Sequence, residues 1–233
     1  MLLFCLPFAG GSSFSYRGLY GHLEPFITPR FLEIPGHGSR ASEPLLRDIT
    51  AMVDDCFDTV RRLGPDRPYA LYGHSMGAVI GFLLSHKIVV HGLPPPEHLF
   101  FSGRQGPAVA DKAPGRHLLP GPQFLVMLEE FEGSPKEVLA NRELMEYFEP
   151  ILRADFQACE SYRYQALPPL PVPISVMYGQ QEKNSREEFL AWQRETSYEL
   201  NHYSFAGGHF FIFDHFAEIG RIVSTTLRAG NPV

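Results

Sequence analysis

The sequence predicts an α/β protein built on one doubly wound, mostly parallel sheet. Two observations carry this. Short apolar runs end in Gly or Pro, as strands buried on both faces do, and helical patterns lie between them along most of the chain. The length of 233 residues suits one such domain, spanning 1–233, and is short for two.

The expected strands are residues 2–6, 30–34, 69–72, 98–102, 174–178 and 201–205. Between them, residues 49–63 place Ile49, Met52, Val53, Cys56 and Val60 on one helical face, with Asp48 as N-cap. Residues 76–90 are apolar on most sides and predict a central buried helix. Residues 185–195 open with a capping serine and have glutamates in the first turn. Residues 209–227 form the expected last helix. One block breaks the alternation: residues 120–164 show helical periodicity and no strand. A helical insertion there would lie over the C-terminal ends of the strands, so it is read as a lid at about 120–165. Ordinary packing helices are the alternative.

Composition excludes several functions. The formal charge is −6, which gives no footprint for nucleic acid. Cys5, Cys56 and Cys159 are odd in number and widely spaced, with no metal-ligand pattern, and read as reduced, mostly buried thiols. The opening MLLFCLPFAGG is too short to span a bilayer and runs into a glycine turn, so it reads as a core strand. No other stretch is long and apolar enough for a transmembrane helix. A cytoplasmic protein without membrane contact is expected.

The chemistry begins at Gly73-His74-Ser75-Met76-Gly77, a GxSxG between a strand and a helix. In that context the motif is the nucleophile elbow of the α/β-hydrolase fold. The turn is so tight that the residues two before and two after the serine must be nearly free of side chain. Ser75 is the expected nucleophile, and the Met76 N–H at the helix start is the first oxyanion donor. The second donor comes from the loop after the first strand, with Phe8 favoured and Ala9 next. A phosphate loop fails there for want of GxxxxGK[ST] or GxGxxG. A serine needs a base. The run Phe205-Ala206-Gly207-Gly208-His209 places His209 on a short loop after the last strand, in the chain order this fold requires. His37, His74, His86, His91, His98 and His117 come too early in the chain. His202 falls inside a strand, and His215 inside the last helix. The acid should follow strand 174–178, where Glu182 is the only carboxylate. Asp155, in the lid, and Asp214, just past His209, are the rivals, and Lys183 could draw Glu182 into solvent.

These residues together carry a resemblance. LPFAGGSS, EIPGHGSR, YGHSMGA, FSGRQGP, the block NRELMEYFEPILRADFQACESYRY, FLAWQRET and FAGGHFFI follow one another in an order similar to that of the type II thioesterases. These are the stand-alone editing enzymes of nonribosomal peptide and polyketide synthases. The resemblance covers nearly the whole chain. It implies hydrolysis of acyl groups from the phosphopantetheine thiol of acyl or peptidyl carrier proteins, with no cofactor of the enzyme's own. It implies Ser75 as nucleophile and His209 as base, and a monomer acting alone. The family's acid is normally an aspartate, and here Glu182 stands at that position. Met127, Leu128, Phe131, Phe148 and Leu152 of the lid would line a passage for the pantetheine arm. The competing readings are a carboxylester hydrolase of the same fold and a carrier-protein-binding module without turnover.

Overall fold

The computed structural model describes residues 1–63, 67–112, 114–131 and 139–229. Six strands form one sheet in the order β2-β1-β3-β4-β5-β6, every neighbouring pair parallel. They are β1 (Leu2–Leu6), β2 (Thr28–Phe31), β3 (Tyr69–His74), β4 (Leu99–Ser102), β5 (Ile174–Gly179) and β6 (Asn201–Phe205). The helices are α1 (Arg17–Tyr20), α2 (Ile49–Leu63), α3 (Met76–Val90), α4 (Gly121–Phe131), α5 (Arg142–Ser161), α6 (Arg186–Leu190) and α7 (Phe216–Ala229).

Side-chain alternation along the strands fills both faces. Leu2, Phe4, Leu6, Leu71, Phe101 and Val176 join the core with α2 and α3. Leu3, Cys5, Ala70, Tyr72, Phe100 and Met177 join the opposite core with α1 and α7. Burial on both sides explains why β1 and β3–β5 read as continuous apolar runs rather than alternating ones. Successive connections leave β1 and β3 in opposite directions across the sheet, so the carboxyl ends of these two neighbours form its switch point, where such sheets bind ligands.

Local chemistry sets the helix starts. Asp48 Oδ1 accepts the N–H groups of Thr50 and Ala51 at 2.9 and 3.2 Å, capping α2. Ser185 and Glu188 close a capping box at α6. Three expected boundaries shift. The second strand was expected at 30–34 but pairs at Thr28–Phe31, as an edge strand that tolerates Pro29. The Leu32 N–H still donates to the Cys5 carbonyl of β1 at 2.9 Å, and Ile34 is buried beyond that last bond, so burial outlasts pairing. The helix expected at 185–195 is α only to Leu190 and continues as a 3₁₀ turn to Glu195. The last helix starts at Phe216, not at 209. Phe211 and Ile212 are buried against the sheet, with Phe211 stacked on Phe205 at 5.1 Å, and this holds the chain in a short 3₁₀ turn first. His215 and Asp214 therefore precede the helix instead of lying in it.

Between Ser102 and Ile174 the described residues form no strand, only one isolated bridge, Leu170 to Thr196. A 3₁₀ turn (Arg116–Leu118), α4 and α5 occupy this block, and positions 132–138 of the expected lid lie outside the described residues. These helices have their own apolar cluster of Phe124, Leu128, Leu139, Met145 and Leu152. Among the described residues no helix is long and apolar enough to cross a membrane.

Candidate active site

The loops after β1, β3, β5 and β6 meet at one end of the sheet. Ser75 follows β3 without a spacer and has φ +53° and ψ −110°, the sole non-glycine left-handed φ among the described residues. Such a backbone costs about 1–3 kcal/mol and persists only where its surroundings impose it. The flanking glycines do so. A Cβ on Gly73 would lie 2.2 Å from the Gly77 carbonyl oxygen, and one on Gly77 would lie 2.6 Å from the Leu6 carbonyl oxygen. The Ser75 N–H donates to the Ser102 carbonyl at 2.8 Å. Ser102 Oγ in turn bonds His74 Nδ1 at 2.9 Å and meets the Tyr72 hydroxyl at 3.2 Å.

His209 joins the two other groups. Its Nε2 is 3.1 Å from Ser75 Oγ and its Nδ1 is 3.0 Å from Glu182 Oε2. With Nδ1 donating to a carboxylate, Nε2 of the neutral ring is the acceptor and faces the serine hydroxyl. The Glu182 side chain is only 4 % exposed, and its Oε1 accepts the Gly179 N–H at 3.1 Å. The acid loop is laced to the histidine loop: Gln180 N–H donates to Phe205 O at 2.8 Å and Gln181 N–H to Gly207 O at 3.0 Å. A Cβ on Gly179 would lie 2.3 Å from the Gly208 oxygen, so only glycine permits this approach.

The rival acids are placed elsewhere. Asp155 is fully buried on α5 and bonds His37 and the Gly10 N–H, and exposed Asp214 ends the 3₁₀ turn after His209. Lys183 does not draw Glu182 away, because its Nζ pairs with Glu130 of α4 at 2.7 Å. The loop after β1 is a turn closed by Gly11 N–H to Phe8 O at 2.8 Å. Among the described residues, the N–H groups of Phe8, Ala9 and Met76 have no protein acceptor.

His74 and Ser102 escaped the sequence reading. His74 is buried with its ring 5.0 Å from that of His209, and burial first, then the charge of His209, push its pKa well below 6.5. It is therefore a neutral prop beside the His209 ring. The signal that singles out Ser102 is its register opposite His74, which requires the strand order.

Ser75, His209 and Ala9 open into a cavity of about 520 Å³. Its apolar wall comes from Leu119, Met127, Leu128, Phe131, Leu152 and Phe156. Four of the five expected lid residues are there. Phe148 is not: it packs into the helices' own cluster instead. A serine hydroxyl bonded to an imidazole, a carboxylate on that ring's far nitrogen and N–H groups without a protein acceptor beside an apolar cavity suit acyl transfer.

Known proteins agree with that chemistry. The family described as "Thioesterase domain" matches residues 2–227. The gramicidin S biosynthesis protein GrsT of Aneurinibacillus migulanus is 33 % identical over 227 residues, covering 97 % of this chain and 88 % of its own. The crystal structure of ClbQ from the colibactin NRPS/PKS pathway superposes with TM-score 0.93 at 34 % identity, covering 98 % of this chain and 97 % of that one. The type II thioesterase BorB from the borrelidin biosynthetic cluster gives 0.89 at 32 %, covering 97 % and 92 %. The chain thus belongs to the thioesterase family, an enzyme of the α/β-hydrolase fold acting on thioester bonds.

Proposed function

We propose that this chain acts alone on carrier proteins, hydrolysing misprimed or stalled acyl groups from their phosphopantetheine thiols within nonribosomal peptide or polyketide synthesis. The observation that carries it is His209 bridging Ser75 and Glu182 at the floor of an apolar cavity, in a chain whose relatives belong to such pathways.

In the proposed mechanism Ser75 Oγ attacks the thioester carbonyl while His209 Nε2 takes its proton. The N–H groups of Met76 and Phe8, with Ala9 as the other candidate, receive the oxyanion. Collapse forms the acyl-enzyme and expels the thiol, with the proton returned by His209. Water then repeats the sequence, giving the free acid and restoring Ser75. Glu182 fixes the tautomer and balances the imidazolium charge. The helices at about 120–165 act as the lid over this chemistry, admitting a thin pantetheine arm and varied acyl chains.

Parallel kinetics on an acyl-pantetheine thioester and its oxygen ester test the reading. A higher kcat/KM on the thioester supports it, and equal or better use of the ester makes the chain a carboxylester hydrolase. A Ser75 that neither turns over substrate nor takes up a fluorophosphonate would leave a non-catalytic carrier-binding module.

A further inference from the structure

A second buried carboxylate–imidazole pair stands beside the triad, and the mechanism above does not use it. Asp155 on α5 is 0 % exposed and His37, in the loop after β2, is 3 % exposed. One oxygen, Asp155 Oδ2, takes two bonds: from the Gly10 N–H at 2.7 Å and from His37 Nε2 at 2.9 Å. His37 Nδ1 faces the Pro35 carbonyl at 3.1 Å, so that nitrogen donates, and the pair holds its other proton between Nε2 and Oδ2. Burial works against a charged ring, and the bond and charge of Asp155 outweigh it, raising the His37 pKa. Asp155 Oδ1 is buried without a protein partner. A carboxylate kept at such cost in desolvation has one backbone target, Gly10.

Gly10 is the pivot of the loop that carries the proposed donors. It has φ +74° in the turn closed by Gly11 N–H to Phe8 O. A Cβ there would lie 2.7 Å from Leu152 Cδ2, which sits one turn before Asp155 on α5. The same helix therefore covers Gly10 and binds its N–H. On the far side of the turn, Ser13 N–H is held by Glu33 Oε1 at 3.1 Å. Releasing the Gly10 amide frees the Ala9–Gly10 peptide to rotate, and the neighbouring N–H groups turn with it.

We infer that Asp155 is a positioning residue for acyl transfer, clamping the Gly10 amide together with His37 so that the Phe8 and Ala9 N–H groups point at the oxyanion. The inference rests on the donor assignment under the proposed function. Asp155 acts on the electrophile's side of the reaction and leaves the tautomer of His209 untouched.

Asp155→Asn tests it. One amide oxygen in place of Oδ2 cannot keep both bonds without the carboxylate charge that holds the His37 proton. Loss of a whole oxyanion donor costs about 10²–10³ in kcat, so tilting one should cost about 10- to 100-fold. KM should stay within about threefold, and the shape of the pH profile set by His209 should not move. Two ligands separate positioning from a merely structural effect: a trifluoromethyl ketone with a pantetheine-like arm, which forms a tetrahedral adduct on Ser75, and the amide analogue of the same arm. The ketone should lose affinity in step with kcat/KM while the amide keeps its own. Equal losses for both ligands, or no loss for either, overturn the inference. If Asp155→Asn does not fold, His37→Gln is read by the same ratio, with a smaller loss in the same direction. The donor assignment has its own test in the wild type, since the ¹⁵N-labelled amides of Phe8 and Ala9 should shift when the ketone binds. Unmoved amides sink that assignment, whereas shifted amides with unchanged ketone affinity in Asp155→Asn sink only the clamp.

Discussion

The floor and the roof of the cavity are held by different forces. On the floor, Ser75, His209 and Glu182 sit on the loops that follow β3, β6 and β5, placed by backbone hydrogen bonds and by glycines pressed against carbonyl groups. The roof of α4 and α5 is held by side chains from distant parts of the chain. Asp155 reaches His37, Glu160 bonds His117 and the Arg116 N–H, and Glu130 pairs with Lys183. A rigid floor suits transition-state stabilisation, which depends on preorganised geometry. A roof tied by separable contacts suits acyl chains of varied shape.

The largest effect should come from breaking the floor. Ser75→Ala and His209→Ala should each lower kcat by about 10⁴-fold or more and by similar amounts, because the two act as a unit. Residual turnover above the uncatalysed rate is expected from the remaining oxyanion donors. Steady-state kinetics with fluorophosphonate labelling check both, and near-normal activity in His209→Ala would remove the base.

Glu182→Gln should come next, at about 10²–10³ in kcat with the fold intact. The amide can stabilise the wrong tautomer and cannot offset the imidazolium. The loss should fall short of a protease's, since a thiolate leaves with little acid help. Glu182→Asp should be milder, limited by reach. If Glu182→Gln stays within a few-fold of wild type while Asp214→Asn is nearly inactive, the observed contact is not the working one.

Acid should also tell the two regions apart. Below the site the sheet buries neutral histidines: burial pushes His98 down to about 4 and His74 well below 6.5. A depressed folded value means that the unfolded chain binds more protons, so stability falls as pH drops from about 6.5 toward 4. His98 alone should cost about 2 kcal/mol at pH 5 relative to pH 7.5. The His37–Asp155 contact of the roof has the opposite sign, being fully present at low pH and weakening as pH rises through the raised His37 value. Thermal unfolding at pH 7.5 and 5.0 should show acid destabilisation that shrinks in His98→Gln. An unchanged pH dependence in that variant would assign the effect elsewhere.

What the sequence showed and what it hid divide along the same line. The elbow was legible because its requirements are local: a strand, two glycines at fixed spacing and a helix. His209 and Glu182 were legible because chain order fixes which loops meet. Side-chain pairs separated by more than a hundred residues, such as His37 with Asp155, leave no periodic trace. Asp155 therefore looked like a rival acid until the fold gave it a partner. The start of the last helix was misplaced because burial of Phe211 and Ile212 delays it, a tertiary demand that overrides local pattern.

Hydrogen exchange should sharpen the contrast more gently. Amides of α4, where Gln123, Val126 and Glu129 are exposed, should exchange about tenfold or more faster than those of β3, which is buried throughout. Equally slow exchange would make α4 a fixed packing helix rather than part of a lid.

The smallest effect should come from the direct side-chain tie between α4 of the roof and the acid loop, the Lys183–Glu130 ion pair. Lys183 is 80 % exposed and Glu130 57 %, so their ion pair lies in high dielectric and is screened by salt. Such a pair is worth about 0–1 kcal/mol. Glu182, the neighbour of Lys183, is held independently by the Gly179 N–H and His209. Lys183→Ala should therefore change the unfolding free energy by less than about 0.5 kcal/mol and kcat by less than about twofold. Glu130→Gln should match it, since either change removes the same contact. A drop in kcat beyond tenfold in Lys183→Ala, absent from Glu130→Gln, would mean that the lysine acts on Glu182 after all. An equal large drop in both would mean that the floor borrows its geometry from the roof, and the division between them would fail.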